Sequence, residues 1–332
     1  METIYVSKTR AGSFSSLQEA VLSIDDRHKE KIRILMESGI YEEKVYVRKN
    51  NIEIVGEDPM TTILRYGDGA YKVRSDGGGG YGTFNTAVLL LAGSDITVEN
   101  ITIENTAGPG EIAGQAVALY NAADRSVIRN CRLLGYQDTL FVGYVKDFPL
   151  NLRPMLPEFF TQSEIPVADH PVRNYFKDCY ICGDIDFIFG PNTAFFEDCE
   201  IHTEREAFIT AASTPAGQEY GLVFWHCRLT AREGVQGCHT YLGRPWRDYA
   251  KTAFLCCVMG DHIYPAGWNN WDKPKAEATC SYIEYGNIGP GASGNHGAKM
   301  RAPFSRQLKN PGLEQYFSRK NVLCGDDGWD VP

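Results

Sequence analysis

The chain has 332 residues, with 33 Lys and Arg against 42 Asp and Glu, so its formal charge is −9. Hydrophobic residues make up 43% of the chain, which excludes a disordered protein because such proteins lack the apolar surface of a core. The negative charge argues against nucleic acid or an anionic lipid surface as a partner. Apolar runs such as Ala87–Ala92 are far shorter than the roughly 18 residues of a membrane span. These figures leave a globular protein with a large core.

Ten cysteines are too few, in a chain of this length, for a scaffold held together by disulfides. Only Cys179 and Cys182 have CxxC spacing, and no second pair completes a zinc site. We therefore expect free, mostly buried thiols, with no metal and no other cofactor. The first residues lack the basic and apolar segments of a secretory signal, so the expected location is cytoplasmic, or secreted if a signal has been removed.

The predicted elements begin with one helix and continue as short strands. Phe14–Leu22 has apolar residues at helical spacing, and Ser13, Ser15 or Ser16 can act as its N-cap. β-Branched runs separated by Gly and Asn turns then predict strands at Ile32–Met36, Lys44–Val47 and Asn51–Val55.

A weak repeat occupies the middle of the chain. Each unit has two apolar residues, a polar turn residue, then Ile or Cys, and finally an alternating strand. Counted from Ile101, the steps are 30, 48, 20, 28 and 30 residues, to Cys131, Cys179, Cys199, Cys227 and Cys257. Such a period without intervening helices is typical of a parallel β-helix, in which the repeated cysteines stack as an interior ladder. The sequence thus predicts an all-β solenoid, a single domain over residues 1–332.

The long step of 48 residues indicates an insertion of about one coil. Residues 143–171 are rich in proline, which favours a projecting loop over a strand. After residue 280 the repeat fades, and Pro311–Leu323 has helical character that we expect to cap the open end of the stack.

Four stretches interrupt the repeat with polar residues: Gly114–Leu119, Gly135–Leu140, Gly183–Gly190 and Leu242–Trp246. The most informative residue is Asp186, which lies between Ile185 and Phe187 in an apolar strand. A carboxylate in such a place is costly unless it is paired and hydrogen-bonded.

The cysteine register brings two aspartates together. Asp138 follows Cys131 by seven residues, and Asp186 follows Cys179 by seven, so on consecutive coils they stack roughly 5 Å apart. Two neighbouring carboxyls do not ionise at the same pH, because the charge of the first to ionise raises the pKa of the second. We expect Arg244 to hold one of them ionised, which leaves the other as the acid.

Gln115 and Gln137 can line the same groove. All four polar stretches occur in register in one chain, which favours a catalytic site. The alternatives are structural: the aspartates with Arg244 can form an ion pair that specifies the fold, and the two glutamines can form an interior hydrogen-bond ladder.

These motifs resemble those of the pectin methylesterases, carbohydrate esterases that demethylate homogalacturonan. The strings GYQDTL and DFIFG carry the resemblance most specifically. Phe14–Ala20 and Gly39–Val45 resemble the family's opening, and the stretch from Tyr316 to Trp329 resembles its close. The resemblance implies a right-handed, single-stranded parallel β-helix with methylated oligogalacturonide or pectin as substrate.

The resemblance also implies a role for each polar residue. Asp186 matches the nucleophile that attacks the C6 methyl ester and forms an acyl-enzyme. Asp138 matches the acid that protonates departing methanol and then serves as base towards water. Gln115 and Gln137 match the amides that stabilise the oxyanion, and Arg244 matches the residue that orients Asp186.

The expected substrate contacts are aromatic. Trp246 matches a tryptophan that stacks on the sugar, and further side chains expected along the groove are Phe189, Tyr120, Phe141, Trp268 and Trp271. For each of these, the alternative is a core side chain. The 143–171 insertion is expected to wall one end of the cleft and to favour short oligosaccharides.

Three other functions remain open at this stage. A related β-helix esterase can act on another acyl ester, because the fold does not fix the leaving group. A pectate lyase or a polygalacturonase can share the fold and cleave the polymer instead. A carbohydrate-binding or structural β-helix without catalysis is the third. We expect a monomer, since a solenoid needs no partner to bury its core.

Overall fold

Parallel strands form nearly all of the regular structure. The computed structural model describes residues 2–74, 79–143, 171–235, 239–292 and 300–331. In chain order the strands are β1 (Glu2–Val6), β2 (Ile32–Met36), β3 (Gly39–Glu42), β4 (Val45–Val47), β5 (Ile52–Gly56), β6 (Thr62–Tyr66), β7 (Leu89–Leu91), β8 (Ile96–Glu99), β9 (Thr102–Asn105), β10 (Leu119–Asn121), β11 (Ser126–Arg129), β12 (Arg132–Leu134), β13 (Leu140–Val142), β14 (Arg173–Lys177), β15 (Tyr180–Gly190), β16 (Thr193–Glu197), β17 (Glu200–Ala212), β18 (Leu222–Trp225), β19 (Arg228–Ala231), β20 (Tyr241–Gly243), β21 (Lys251–Leu255), β22 (Val258–Met259), β23 (Ser281–Tyr285) and β24 (Ser305–Gln307).

Helices are few and short in the described ranges. They are α1 (Leu17–Ser23), α2 (Gly110–Ala113), α3 (Leu313–Tyr316) and α4 (Arg319–Leu323), with 3₁₀ turns at Thr83–Thr86 and Ala276–Ala278. Helix α1 confirms the predicted N-terminal helix, and its N-cap is Ser16, whose side chain accepts a hydrogen bond from the backbone N–H of Glu19. No helix in the described part of the chain is long and apolar enough to cross a membrane.

The strands stack in three rows. One row runs β1-β2-β5-β8-β11-β14-β16-β18-β21-β23-β24. A second runs β3-β6-β9-β12-β15-β17-β19-β22, and a third runs β4-β7-β10-β13-β15-β17-β20. The long strands β15 and β17 belong to both of these rows. The strand pairs of the described residues are parallel, and the coils that begin with β2, β5, β8, β11, β14, β16 and β18 contribute to all three rows, which confirms the predicted parallel β-helix.

A left-handed residue marks the bend between the first and second rows on five successive coils, from β11–β12 to β21–β22. These residues have φ between 48° and 54° and are Asn130, Asp178, Asp198, His226 and Cys256. Asn and Asp tolerate this conformation better than most residues. We call these five residues the bend row.

Directly after each bend-row residue lies a buried cysteine. These cysteines, the cysteine ladder, are Cys131, Cys179, Cys199, Cys227 and Cys257, each 2% exposed or less. Each of these thiols donates to a backbone carbonyl of the preceding coil, at Sγ–O distances of 3.4–3.6 Å. The predicted interior ladder is therefore confirmed, and all nine cysteines that the structure describes are free thiols.

A phenylalanine stack runs beside the cysteine ladder. Phe176, Phe196, Phe224 and Phe254 each lie three residues before a ladder cysteine. Their ring centroids are 4.6, 4.5 and 4.4 Å apart, and successive planes deviate by 12°, 8° and 11°. Such contacts add about 0.5–1.5 kcal/mol per pair beyond the burial of apolar area.

The C-terminal segment packs against the flank of the solenoid and not across its open end. Val322 and Leu323 of α4 lie in one apolar cluster with Tyr175 of β14 and Phe195 of β16. The expectation that this segment caps the stack is therefore wrong. The apolar side chains on the outer face of the first row supply the surface that the segment covers.

Arg173 links this segment to the solenoid through two ion pairs. Its Nη2 lies 3.0 Å from Asp124 Oδ2 and 2.7 Å from Asp327 Oδ2. The hydrogen bonds from Arg173 hold the pKa of the Asp327 carboxyl well below its ordinary value.

The predicted projecting loop at residues 143–171 falls almost wholly on residues 144–170, which lie outside the described residues.

Candidate active site

Asp138 and Asp186 occupy matching positions on consecutive coils. Strand partners bracket them on both sides: Leu133 pairs with Ile181, and Leu140 pairs with Ile188. The register predicted from the cysteines is therefore confirmed. The backbone N–H of Asp138 also donates to the carbonyl of Ile185 at 3.0 Å, which ties the two segments together at the site.

The backbone is irregular at both aspartates. Asp138 has φ 66° and Asp186 has φ 53°, both in the left-handed region. The register between β15 and β17 shifts on either side of Ile185. Such irregularities change the direction of a side chain relative to a regular strand. The two carboxyls thus occupy a break in the ladder of strands, although they remain only 8% and 6% exposed.

Arg244 holds Asp186 with two parallel hydrogen bonds. Its Nε donates to Oδ1 at 2.8 Å and its Nη2 donates to Oδ2 at 2.7 Å. The guanidinium lies between the rings of Phe208 and Trp271, 3.8 Å from each centroid. A planar guanidinium suits both contacts, which lysine cannot reproduce. The expected pairing of Arg244 with one aspartate is present, and the second aromatic face, Phe208, was not anticipated.

The surroundings of the two carboxyls give them different pKa values. Burial raises the pKa of Asp186, whereas the hydrogen bonds and the charge of Arg244 lower it. Burial also raises the pKa of Asp138, and the neighbouring charge of Asp186 raises it further, so that it lies well above its ordinary value. Asp138 lacks the hydrogen bonds from Arg244 that Asp186 accepts. Asp186 is therefore the carboxyl that ionises first, and Asp138 is the one that keeps its proton.

Gln115 and Gln137 lie on the neighbouring coils with half-buried side chains. The backbone N–H of Ala116 donates to the carbonyl of Gln137 at 3.0 Å and so joins their segments. Gln137 lines a cleft of about 660 Å³ with Asp184 and Ile185. Their partial exposure argues against the alternative of an interior glutamine ladder.

Gly110 lies directly against the Gln137 amide. A Cβ at residue 110 would lie 2.3 Å from Gln137 Oε1, which is closer than two such atoms can approach. The absence of a side chain at Gly110 therefore leaves the space that this amide occupies.

The predicted substrate aromatics separate into one accessible ring and a buried group. Trp246 is half-buried, and its ring lies 5.8 Å from Phe189 and 6.4 Å from Phe141. Tyr120, Phe141 and Phe189 are 0%, 0% and 3% exposed and pack with Phe84 beneath it. The expectation that these three line the groove is corrected: they support Trp246 from below.

Trp268 also belongs to the core. It is 2% exposed, its ring stacks on Tyr282 at 4.2 Å, and its Nε1 donates to Glu284 at 3.1 Å. A bridge between Gly243 and Trp268 places it on a further turn of the solenoid. The expectation that Trp268 faces the groove is therefore corrected, whereas its neighbour Trp271 contacts Arg244.

Lys273 supports the turn that carries Arg244 and Trp246. Its Nζ donates to the carbonyls of Pro245 and Trp246 at 2.9 and 3.1 Å and lies over the Trp271 ring. The sequence analysis gave no role to Lys273, because a lone lysine in a loop carries no motif.

Across the described ranges, no group of three or more His, Cys, Asp and Glu side chains is placed to hold a metal ion.

Comparison with known proteins supports the resemblance. The profile of the Pectinesterase family matches residues 3–151 and 166–325, and the unmatched stretch lies inside the predicted insertion. The chain is 36% identical to Pectinesterase 31 of Arabidopsis thaliana, covering 92% of this chain and 87% of that protein. It is 31% identical to Pectinesterase 2 of Citrus sinensis, covering 97% of this chain but only 58% of that protein.

Solved structures agree with the fold. The chain is similar to a pectin methylesterase from carrot, with a TM-score of 0.81 and 29% identity over 98% of this chain and 94% of that one. It is also similar to the pectin methylesterase PemA from Erwinia chrysanthemi, with a TM-score of 0.78 and 26% identity over 100% and 98%. These proteins are right-handed parallel β-helices, which confirms the expected handedness. The chain belongs to the pectinesterase family of carboxylic ester hydrolases.

Proposed function

We propose that the chain hydrolyses the C6 methyl esters of methylated homogalacturonan to galacturonate and methanol, with Asp186 as nucleophile. Family membership supports the pectin methylesterase activity. The observation that carries the assignment of residues is the pair of coil-stacked, buried carboxyls, of which Arg244 binds one. An ionised carboxylate beside a protonated one is what nucleophilic attack followed by protonation of a leaving group requires.

The reaction starts with attack by the Asp186 carboxylate on the C6 carbonyl carbon. The carbonyl oxygen then carries the negative charge, which the side-chain amides of Gln115 and Gln137 stabilise as hydrogen-bond donors. Collapse of this intermediate breaks the bond to the methoxy oxygen, which takes its proton from Asp138 and leaves as methanol. An anhydride between Asp186 and the galacturonate remains.

Water completes the reaction. The Asp138 carboxylate, now without its proton, accepts one from a water molecule as that water attacks the acyl carbon. The bond to Asp186 breaks and the product leaves as galacturonic acid, which loses its proton to solvent and becomes galacturonate. Both aspartates are then back in their starting states. Arg244 keeps Asp186 oriented throughout, since the stacked rings and two hydrogen bonds fix its guanidinium.

The substrate is a chain of galacturonates that stacks one sugar on Trp246. One similar pectin methylesterase structure is described as a complex with a hexasaccharide, which supports an oligosaccharide as ligand. We further propose that the 143–171 insertion favours short oligosaccharides, on the sequence alone. Deleting it and comparing rates on trimers and polymer tests this, and an unchanged ratio overturns it. The cytoplasmic location and the monomeric state stay predictions.

Methanol release from methylated trigalacturonate and from polymeric pectin tests the proposed function. We expect methanol from both, with no new reducing ends and no unsaturated product, and none from Asp186→Ala. New reducing ends would indicate a polygalacturonase, and an unsaturated product would indicate a lyase. Release of acetate in place of methanol would favour an esterase of another acyl group. Full activity in Asp186→Ala would overturn the assignment of the nucleophile.

A further inference from the structure

A third buried carboxyl lies beside the two that the mechanism uses. Asp184 comes two residues before the nucleophile on β15 and is only 3% exposed. Its backbone N–H donates to the carbonyl of Tyr136 at 3.1 Å, two residues before Asp138. The backbone N–H of Asp138 donates in turn to the carbonyl of Ile185, so each of the two segments donates one backbone hydrogen bond to the other. The proposed reaction gives Asp184 no step.

The Asp184 carboxylate is the buried end of a row of alternating charges. Its Oδ1 accepts from the backbone N–H of Ile185 at 2.6 Å, and its Oδ2 lies 3.9 Å from Arg205 Nη1. The other end of the row is Glu111 of α2, which accepts two hydrogen bonds from Arg205, one of them at 2.8 Å. Asp184, Arg205 and Glu111 line the cleft that also contains Gln137.

We propose that Asp184 is a positioning residue that keeps the Asp138 carboxyl in its protonated form, and that the Arg205–Glu111 ion pair regulates how strongly it does so. This inference rests on the proposed function and concerns its regulation by pH. Two like charges in a buried site oppose each other, so an ionised Asp184 disfavours loss of the proton from Asp138. Arg205 counteracts part of that repulsion, because it is the cation nearest to Asp184 in the described cleft.

The charged and titratable groups around Asp184 come from four elements. The coil of Asp138 contributes Asp138 itself and Tyr136, and β15, the strand of Asp184, contributes Asp186. Strand β17 contributes Glu204 and Arg205, and α2 contributes Glu111. Burial raises the pKa of Asp184, but the Ile185 N–H and Arg205 limit the rise. The pKa of Asp138 is raised further, so Asp184 ionises first. There is therefore a range of pH in which Asp184 is negative while Asp138 still retains its proton.

The test is the pH profile of kcat/KM for methanol release in the wild type and Asp184→Asn. Asparagine keeps an oxygen for the Ile185 N–H and loses only the charge. The basic limb reports the protonated acid and the acidic limb reports the ionised nucleophile. We expect the basic limb to move to lower pH by about half a unit or more, with the acidic limb in place. Glu206→Gln, which removes an exposed carboxyl from the same cleft, is the matched control and leaves both limbs unmoved.

Arg205→Gln gives a second, opposite shift. Without the cation, Asp184 repels an ionised Asp138 more strongly, so the basic limb moves to higher pH. The same change has no effect on the limb in the Asp184→Asn background, because the charge that Arg205 counteracts is gone. Arg205 is exposed, so this variant folds and tests the inference even if Asp184→Asn does not.

Distinct outcomes separate the two proposals. A uniform loss of rate in Asp184→Asn at every pH, or a basic limb that coincides with the Glu206→Gln control, overturns the inference and leaves the methylesterase activity intact. Absence of methanol release from the wild type overturns the proposed function, and the inference with it.

Discussion

The bend row and the two site aspartates share one backbone conformation in opposite environments. The bend row has φ of 48–54°, and Asp138 and Asp186 have 66° and 53°. Four of the five bend-row residues are exposed, whereas both aspartates are buried. At the surface, a polar left-handed residue costs little because water satisfies its side chain. In the site, the same conformation holds carboxyls that burial makes expensive, and their raised pKa values are the consequence.

The neighbours of the two regions differ as well. The phenylalanine stack repeats with nearly constant spacing from coil to coil. At the site, the pairing of β15 with β17 loses its regular register. Regular coils thus supply stability, and the irregular segments of two consecutive coils carry the proposed catalytic residues. Variants that affect only one of these properties test how completely the two are separated.

The largest effect is expected at the nucleophile. Asp186→Asn removes the attacking charge and lowers kcat/KM for methanol release by at least about 10⁴-fold, as loss of a nucleophile does elsewhere. Stability changes by less than about 1 kcal/mol, because asparagine accepts the left-handed backbone and because removing a charge whose burial raises the pKa of Asp186 offsets the loss of the ion pair with Arg244. Methanol assays and urea unfolding measure the two properties. The control is Asp198→Asn, the same substitution in the bend row, which keeps full activity; equal losses in both variants would contradict the separation.

The phenylalanine stack gives the converse result. Phe224→Ala removes the ring between Phe196 and Phe254 and lowers the free energy of unfolding by about 3–5 kcal/mol, since a buried cavity replaces the side chain. Activity per folded molecule stays near that of the wild type at low temperature. Urea unfolding, followed by fluorescence, measures the loss, and Phe224→Leu, with a smaller cavity, loses less. A large fall in kcat for the folded variant would show that the stack also positions the site.

Gly110→Ala should affect the site with little effect on the scaffold. The new Cβ would meet Gln137 Oε1, the free end of a flexible side chain, so the amide moves and the backbone does not. We expect kcat/KM to fall by about 10–100-fold, because small displacements of catalytic groups are costly. Stability stays within about 0.5 kcal/mol. The matched control is Gly39→Ala, whose Cβ would lie 3.6 Å from the Tyr41 ring, an ordinary contact; an unchanged rate in Gly110→Ala would remove Gln137 from the oxyanion site.

The sequence predicted the regular coils of the solenoid better than the irregular segments at the site. The cysteine spacing led to the coil register and to the meeting of Asp138 and Asp186, because a solenoid converts sequence period directly into spatial neighbours. Trp268 was misplaced because burial depends on the side that an irregular segment turns inward, which spacing does not encode. Phe208 and Arg205 were missed because β17 passes between two rows with a shifted register.

The smallest effect is expected in the bend row itself. His226 has φ 54° and an exposed side chain, so His226→Val places a β-branched residue where it clashes with the backbone. The expected loss is about 1–2 kcal/mol of unfolding free energy with unchanged kcat. His226→Asn, which tolerates the conformation, stays near the wild type. If valine cost no more than asparagine, left-handed geometry would be cheap everywhere in this solenoid, and the cost at Asp138 and Asp186 would come from burial of charge alone.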